Sequence, residues 1–341
     1  MTVAHTPNRL RTAAISLAGL TAFGLSACGT GVSTPDEPDT AAAEGYPVTV
    51  ENCGEELVLE AAPTRLVGLS PSQTELLVEL GLTDSLVGQA QTDTHPLPEQ
   101  VQAAVADVPE LSDAAPPTRE VLLEAEPDFV YSPTTYEFTT EQGFASIEQL
   151  AEVGADAYVA TGGCPERRSQ GTVDDLFTDI ENLGTIFALP ERADEMTEEG
   201  QSRLTAVEEA IEGAEAPSVA QLYVEGATLM AIGGGIEYDI IARAGGDNVF
   251  DPDEAAFSDF FAATITPEEV TSRDPEAIVF SVNDADHEEA TRAYLAETFP
   301  DVAAVSEDRL VAVPASNLFP GTLGNIGAVE HIAEGLHPDR F

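Results

Sequence analysis

The sequence predicts an α/β protein of two Rossmann-like lobes with mainly parallel sheets, joined by one long connecting helix. Three observations predict it. Short apolar strands alternate with short helices from Pro63 to Val159, residues 172–214 are helical in period, and a second α/β run begins at Ser218. Taken in order, Val48-Thr49-Val50 and Leu57-Val58-Leu59 flank Asn52-Cys53-Gly54, a hairpin signal. Arg65-Leu66-Val67-Gly68-Leu69 is a short apolar strand, and Ser70-Pro71-Ser72 opens a helix whose free amides a serine oxygen can cap. Glu75 is placed in its first turn, where the helix dipole favours a carboxylate. Leu76, Leu77 and Leu80 share its buried face, Gly81 stops it, and Leu86-Val87-Gly88 is the next strand.

The unit recurs as the helix Arg119 to Ala125, the strand Phe129-Val130-Tyr131, the helix Ile147 to Val153 and the strand Ala157-Tyr158-Val159. In the helical stretch, Val173, Leu176, Phe177, Ile180 and Leu183 make one apolar face, with an interruption near Leu189-Pro190. Met196, Leu204, Val207 and Ile211 are the apolar positions beyond the interruption. The second run offers the strand Val219 to Val224, the helix Ile236 to Ala244 and the helix Pro267 to Ser272. The strands Ala277 to Val282 and Leu310 to Val313 and a last helix from about Gly324 to Gly335 complete it. The expected parts are a signal segment 1–27, a disordered tether 28–45, a first lobe 46–171, a helical connector 172–214 and a second lobe 215–341.

The N-terminus points to export. Arg9 and Arg11 precede an apolar stretch, Thr12 to Leu25, too short and too weakly apolar for a spanning helix and suited to a signal peptide. It ends at Leu25-Ser26-Ala27-Cys28, which looks like a bacterial lipobox, so Cys28 is the expected lipid anchor at the outer face of the cell membrane. An ordinary secretory signal with an incidental cysteine is the alternative. Small, polar and acidic residues then form the tether.

The 341 residues carry a formal charge of −49, and all 13 basic residues are arginine. Such repulsion excludes nucleic acid as a partner and disfavours direct adhesion to anionic headgroups. It suits high external salt, where the Debye length falls to about 3 Å near 1 M. With Cys28 assigned to lipid, Cys53 and Cys164 remain. An exported pair is expected to oxidise, closing a loop on the order of 100 residues worth ~4–5 kcal/mol in the chain-entropy model. Two free thiols are the alternative; no histidine stands near either at a zinc-ligand spacing.

Several motifs together resemble one family. Pro63-Thr64-Arg65-Leu66-Val67, Thr74-Glu75-Leu76-Leu77-Val78-Glu79-Leu80-Gly81-Leu82 and Leu86-Val87-Gly88 resemble the opening of periplasmic binding proteins for ferric siderophores, haem and vitamin B12. Leu122-Leu123-Glu124-Ala125-Glu126-Pro127-Asp128-Phe129-Val130 fits the same pattern. So do Leu183-Gly184-Thr185-Ile186-Phe187, Gly245-Gly246-Asp247-Asn248-Val249-Phe250 and Ile265-Thr266-Pro267-Glu268-Glu269-Val270. The likeness spans about residues 46–335, and the cysteine pair looks like that of a disulfide-bearing branch. It implies a solute-binding protein with ligand between two lobes, delivering it to a permease driven by an ATPase, with no catalysis and no cofactor of its own. In the vitamin B12 binder of this family, one carboxylate per lobe salt-bridges permease arginines; Glu75 and Glu268 match those positions.

For the ligand, the segments just after strands are the candidates: Ser70, Tyr131, Tyr136 and Phe138, Tyr223, Asn283 and Asn317. Aromatics offer flat apolar area with polar tips, suited to a bulky chelate. Arg167-Arg168 is the only adjacent arginine pair, too few for a highly anionic catecholate. The expected cargo is therefore a neutral or weakly charged iron chelate of hydroxamate type, with vitamin B12 and haem as alternatives. His95, His287, His331 and His337 are scattered, so no protein-held metal is expected. Gly68-Leu69-Ser70-Pro71-Ser72 lacks the last glycine of a nucleophile elbow, and Gly233-Gly234-Gly235 lacks the lysine of a phosphate loop. The protein is expected to act as a monomer. A structural or adhesive surface lipoprotein is the rival of another class.

Overall fold

In the computed structural model, residues 45–257 and 260–341 are described. The signal segment, Cys28 and nearly all of the tether lie outside the described residues. Strands β1 (Val48–Asn52) and β2 (Glu55–Leu59) form the expected antiparallel hairpin. Its turn residues Cys53 and Gly54 have φ of 50° and 76°, the doubly left-handed geometry of a tight hairpin.

The first lobe continues as β3 (Leu66–Gly68), α1 (Pro71–Glu79), β4 (Leu86–Gln89), α2 (Glu99–Ala104), α3 (Arg119–Glu124), β5 (Phe129–Ser132), α4 (Ile147–Glu152) and β6 (Asp156–Val159). Its sheet has the order β4-β3-β5-β6 and is parallel throughout. Both faces are covered, which is why β5 is buried at every position. Leu66, Phe129 and Tyr131 face one core, while Val67, Val130, Leu122 and Leu150 face another.

The connector is two helices, α5 (Asp174–Ile186) and α6 (Pro190–Ala210). Pro190 lacks the amide that would continue α5, so it opens α6 instead; Ala188, in the break, has φ 54°. The 21 residues of α6 span roughly 31 Å. On one side α6 touches α5, and on the other it touches two helices of the second lobe.

The second lobe comprises β7 (Ser218–Glu225), β8 (Thr228–Ile232), α7 (Gly235–Arg243), β9 (Asp247–Asn248), β10 (Ala262–Thr264), α8 (Pro267–Arg273), β11 (Ala277–Val282), α9 (Ala285–Thr298), α10 (Ala303–Ser306), β12 (Leu310–Pro314) and α11 (Gly324–Leu336). Helices α7 and α11 are the two that meet α6. The sheet has the order β10-β8-β7-β11-β12, with β9 also on β7. It is mixed: β9, β7, β11 and β12 run parallel, whereas β8 and β10 pair antiparallel. The β7–β8 hairpin turns at Gly226, φ 59°.

One apolar core runs unbroken from Leu66 and Tyr158 through Leu176, Ile180, Met196 and Leu204 to Ile236, Ile326 and Ile332. Polar contacts add to it. The Gln73 side-chain amide donates to the Pro320 carbonyl at 3.2 Å, and the Gly235 amide donates to the Ser169 carbonyl at 2.9 Å. Cys53 and Cys164 are bonded, 111 residues apart, tying the hairpin turn to the segment after β6.

Gly163, beside that bond, has no room for a side chain. A Cβ there would lie 1.8 Å from the Pro133 carbonyl oxygen, a backbone atom that cannot swing aside. Gly163→Ala is therefore expected to lose at least about 2 kcal/mol of stability, measured by urea unfolding.

Candidate functional site

The gap between the lobes holds a cleft of 1140 Å³ walled by Ser72, Glu75 and His95 of the first lobe, Arg203 of α6, and Asn283 and Phe319 of the second. An inner cavity of 270 Å³ continues from it, sharing Asn283, Ala315 and Phe319. Asn283 and Ala315 stand just beyond the C-terminal ends of β11 and β12, where open α/β sheets place their ligands.

The inner cavity is mostly apolar. Met230, Ile232, Phe260, Phe261, Leu318 and Phe319 supply its walls, with Tyr223 and Asn283 as polar points. Two charged side chains reach it among the described residues, Arg168 and Glu237. The Arg168 guanidinium lies 4.7 Å from the Phe261 ring centre, a cation–π contact. It makes no ion pair and no hydrogen bond among the described residues. Its pKa is lowered by burial, an effect opposed by Glu237 and Glu137. The backbone of Arg168 is held by close packing: a Cβ on Gly235 would sit 2.8 Å from the Arg168 carbonyl, and Gly235 has φ 68°.

Of the residues the sequence suggested for the ligand, Arg168, Tyr223 and Asn283 line the inner cavity and Asn317 lines the outer cleft. The others stand elsewhere. Ser70 is buried at the head of α1, where its carbonyl accepts from the amides of Gln73 and Thr74. Tyr131 is fully buried because β5 is an inner strand; its ring packs edge-on to Tyr158 at 5.6 Å. Phe138 folds back into the core beneath the sheet, and Tyr136, 53 % exposed, meets Phe144 edge-on outside the cavity. Arg167 is held by Asp175 of α5 at 2.7 Å, which turns it away from the cavity its neighbour enters.

Glu75 and Glu268 lie on different lobes. Glu75 is the fifth residue of α1, not in the first turn, because the helix already starts at Pro71. It is half-buried in the cleft wall, and burial and the nearby Glu79 push its carboxyl up to about 7. Glu268 is exposed in the first turn of α8. There Glu269 closes a capping box with Thr266, accepting from its amide at 2.7 Å.

Sequence reasoning did not assign His95, Met230, Glu237 or the Phe260-Phe261 pair to the ligand. His95 stacks on Phe319 at 6.4 Å across the cleft, with Ser72 and Thr94 hydroxyls at its two nitrogens, and burial lowers its pKa to about 4. The tandem phenylalanines were a usable signal: two large apolar rings side by side in a polar, acidic stretch need a shared apolar space. Glu237 follows the glycine run 233–235, whose tight packing on Arg168 carries it inward.

Three carboxyls are held up to about 7 by burial: Glu75, Glu237, and Asp179, which Tyr158 and Thr161 bind. Folded protein keeps these protons between pH 4.5 and about 7, where the unfolded chain has lost them. Stability therefore falls as pH rises through that window, by on the order of 1–3 kcal/mol per group. The melting midpoint is expected to be higher near pH ~5.5 than at pH ~8; calorimetry across that range checks it.

The tight grouping of metal-competent side chains among the described residues is Cys53, Cys164 and Glu166, whose sulfurs are already bonded to each other. No helix of the described residues is long and apolar enough to cross a membrane.

A family profile described as periplasmic binding protein matches residues 66–316. The chain belongs to the periplasmic binding protein family. As a periplasmic binding protein it binds a solute rather than catalysing a reaction. Its similarity extends to a Bacillus subtilis protein named an uncharacterized ABC transporter substrate-binding lipoprotein, 23 % identical over 330 residues covering 94 % of this chain and 96 % of the other. A Halobacterium salinarum cobalamin-binding protein is 25 % identical over 301 residues, 84 % of this chain and 74 % of the other. Among solved structures, an ABC-type Fe3+-hydroxamate transport protein of Saccharomonospora viridis superposes with a TM-score of 0.69 at 25 % identity, over 85 % of this chain and 99 % of that one.

Proposed function

We propose that this periplasmic binding protein is the extracytoplasmic capture component of an ABC importer, anchored through lipid on Cys28, and that its cargo is a neutral or weakly charged ferric hydroxamate chelate. The observation that carries the cargo is Arg168: a guanidinium without an ion pair among the described residues, set over Phe261 in an aromatic cavity. A chelated hydroxamate presents several oxygens on one face, and a guanidinium fork donates to paired oxygens. The flat walls of Phe261 and Phe319 suit the apolar remainder of such a ligand. A single cationic fork suits a ligand of low charge, not a triply anionic one. The names of the relatives from Bacillus subtilis and Saccharomonospora viridis support the importer reading.

Monomeric protein would dock on the permease through Glu75 and Glu268, one on each lobe, with transport driven by the partner ATPase. Cobalamin is the second reading, favoured by the named ligand of the Halobacterium relative. Tyrosine fluorescence titrated with a ferric trihydroxamate and with cyanocobalamin separates them. Saturable quenching by the iron complex alone is expected. Binding of cobalamin alone would replace the cargo, and binding of neither would remove both readings.

A further inference from the structure

We infer that the inner cavity selects a chelate carrying a net positive charge, and that Glu237 is the residue that recognises it, as the partner of a protonated amine. The inference rests on the hydroxamate reading and adds a charge requirement to it. Three charged groups act at this site. Arg168 feels the fields of both Glu237 and Glu137. Glu137 is buried and already satisfied, accepting from the Ser132 hydroxyl at 3.2 Å and the Thr134 hydroxyl at 2.6 Å. It offsets the arginine's charge and does not line the cavity. Glu237 does line the cavity, and its ionised form is left over in the sum: one cation against two carboxylates.

Glu237 is also underused by the protein. It has no ion pair among the described residues, and its carboxylate accepts a single hydrogen bond there, from the Gln221 amide nitrogen to Oε2 at 2.8 Å. Gln221 in turn keeps its own buried Oε1 without a partner. Burial raises the Glu237 carboxyl to about 7 even beside Arg168, so the surrounding side chains do not satisfy its charge. A ligand ammonium would. In an apolar cavity an attraction between opposite charges is far stronger than in water, and removing one partner of such a pair is costly. Arg168 remains free to donate to the chelate oxygens, so the cavity offers one cationic donor and one anionic acceptor to the same ligand. A chelate with a pendant amine presents both features, whereas a neutral cyclic chelate presents the oxygens alone.

The test compares two iron(III) complexes of the same linear trihydroxamate, one with its terminal primary amine free and one with that amine acetylated. Affinities are measured by fluorescence titration near pH ~8, where Glu237 is ionised. The native protein should bind the amine form about ten-fold or more tightly than the acetylated form. Glu237→Gln should shrink that ratio to within about two-fold, and Glu237→Asp, which keeps the charge, should retain most of it. Equal binding of both complexes by the native protein overturns the inference and leaves the hydroxamate reading standing. A preference that survives Glu237→Gln also overturns it. Binding of neither complex overturns the hydroxamate reading and this inference with it.

Discussion

Replacing Cys53 and Cys164 together by serine is expected to lower the unfolding free energy by about 4–5 kcal/mol. The two cysteines are 111 residues apart and their bond closes most of the first lobe into a ring. Without it the unfolded chain regains the entropy of that loop, while the folded lobe keeps its parallel sheet. Urea unfolding of the double variant, compared with the oxidised parent, gives the difference directly. A change under about 1 kcal/mol would mean that the unfolded chain is already compact around this pair. The replacement has a second expected consequence. Cys164 heads the short segment that ends at Arg168, and the neighbouring Ser169 receives the Gly235 amide of the other lobe. Cutting the bond frees one end of the segment, so cargo binding should weaken as well.

Arg168→Ala is expected to weaken binding of the ferric hydroxamate by about 10- to 100-fold, the loss of charge-assisted hydrogen bonds worth roughly 1.5–3 kcal/mol. Arg168→Lys should recover only part of it, because an ammonium is a point charge and cannot span two oxygens. Isothermal titration of both variants reads the effect. Unaltered affinity in Arg168→Ala would remove the arginine from the ligand and with it the chief support for an oxygen-rich chelate. The Phe261 ring serves as an internal control: Phe261→Ala should reduce affinity through lost flat contact without changing the preference among charged forms.

The strand–helix alternation makes most of the fold legible in the sequence alone. The first hairpin, both lobes and the helical connector are written in apolar period and in glycine and proline punctuation. Strand β8 was not legible, because Thr228–Ile232 shows neither alternation nor a strong turn signal beyond Gly226. The site was read less well, for reasons tied to particular side chains. Tyr131 and Phe138 are aromatic and come after or within a strand, features shared by cavity walls and core residues alike; only the layer above β5 decides between them. Arg167 and Arg168 are adjacent and chemically identical, and the carboxylate of Asp175 captures one of them. Glu237 was hidden because a glutamate near a helix start has an ordinary explanation in the helix dipole. What marks it out is depth, a property of packing among distant segments that no local pattern records.

The unbroken run of apolar side chains from Leu66 to Ile332 has a bearing on how this molecule comes into being. Each half closes a core of its own, Val67 with Leu150 in the first and Leu222 with Phe299 in the second, but this third core is shared: cut at the connector, each half would present its part of it to water. The halves must therefore mature together, so a nascent chain halted after the first would offer a sticky intermediate to chaperones and proteases until the rest arrived.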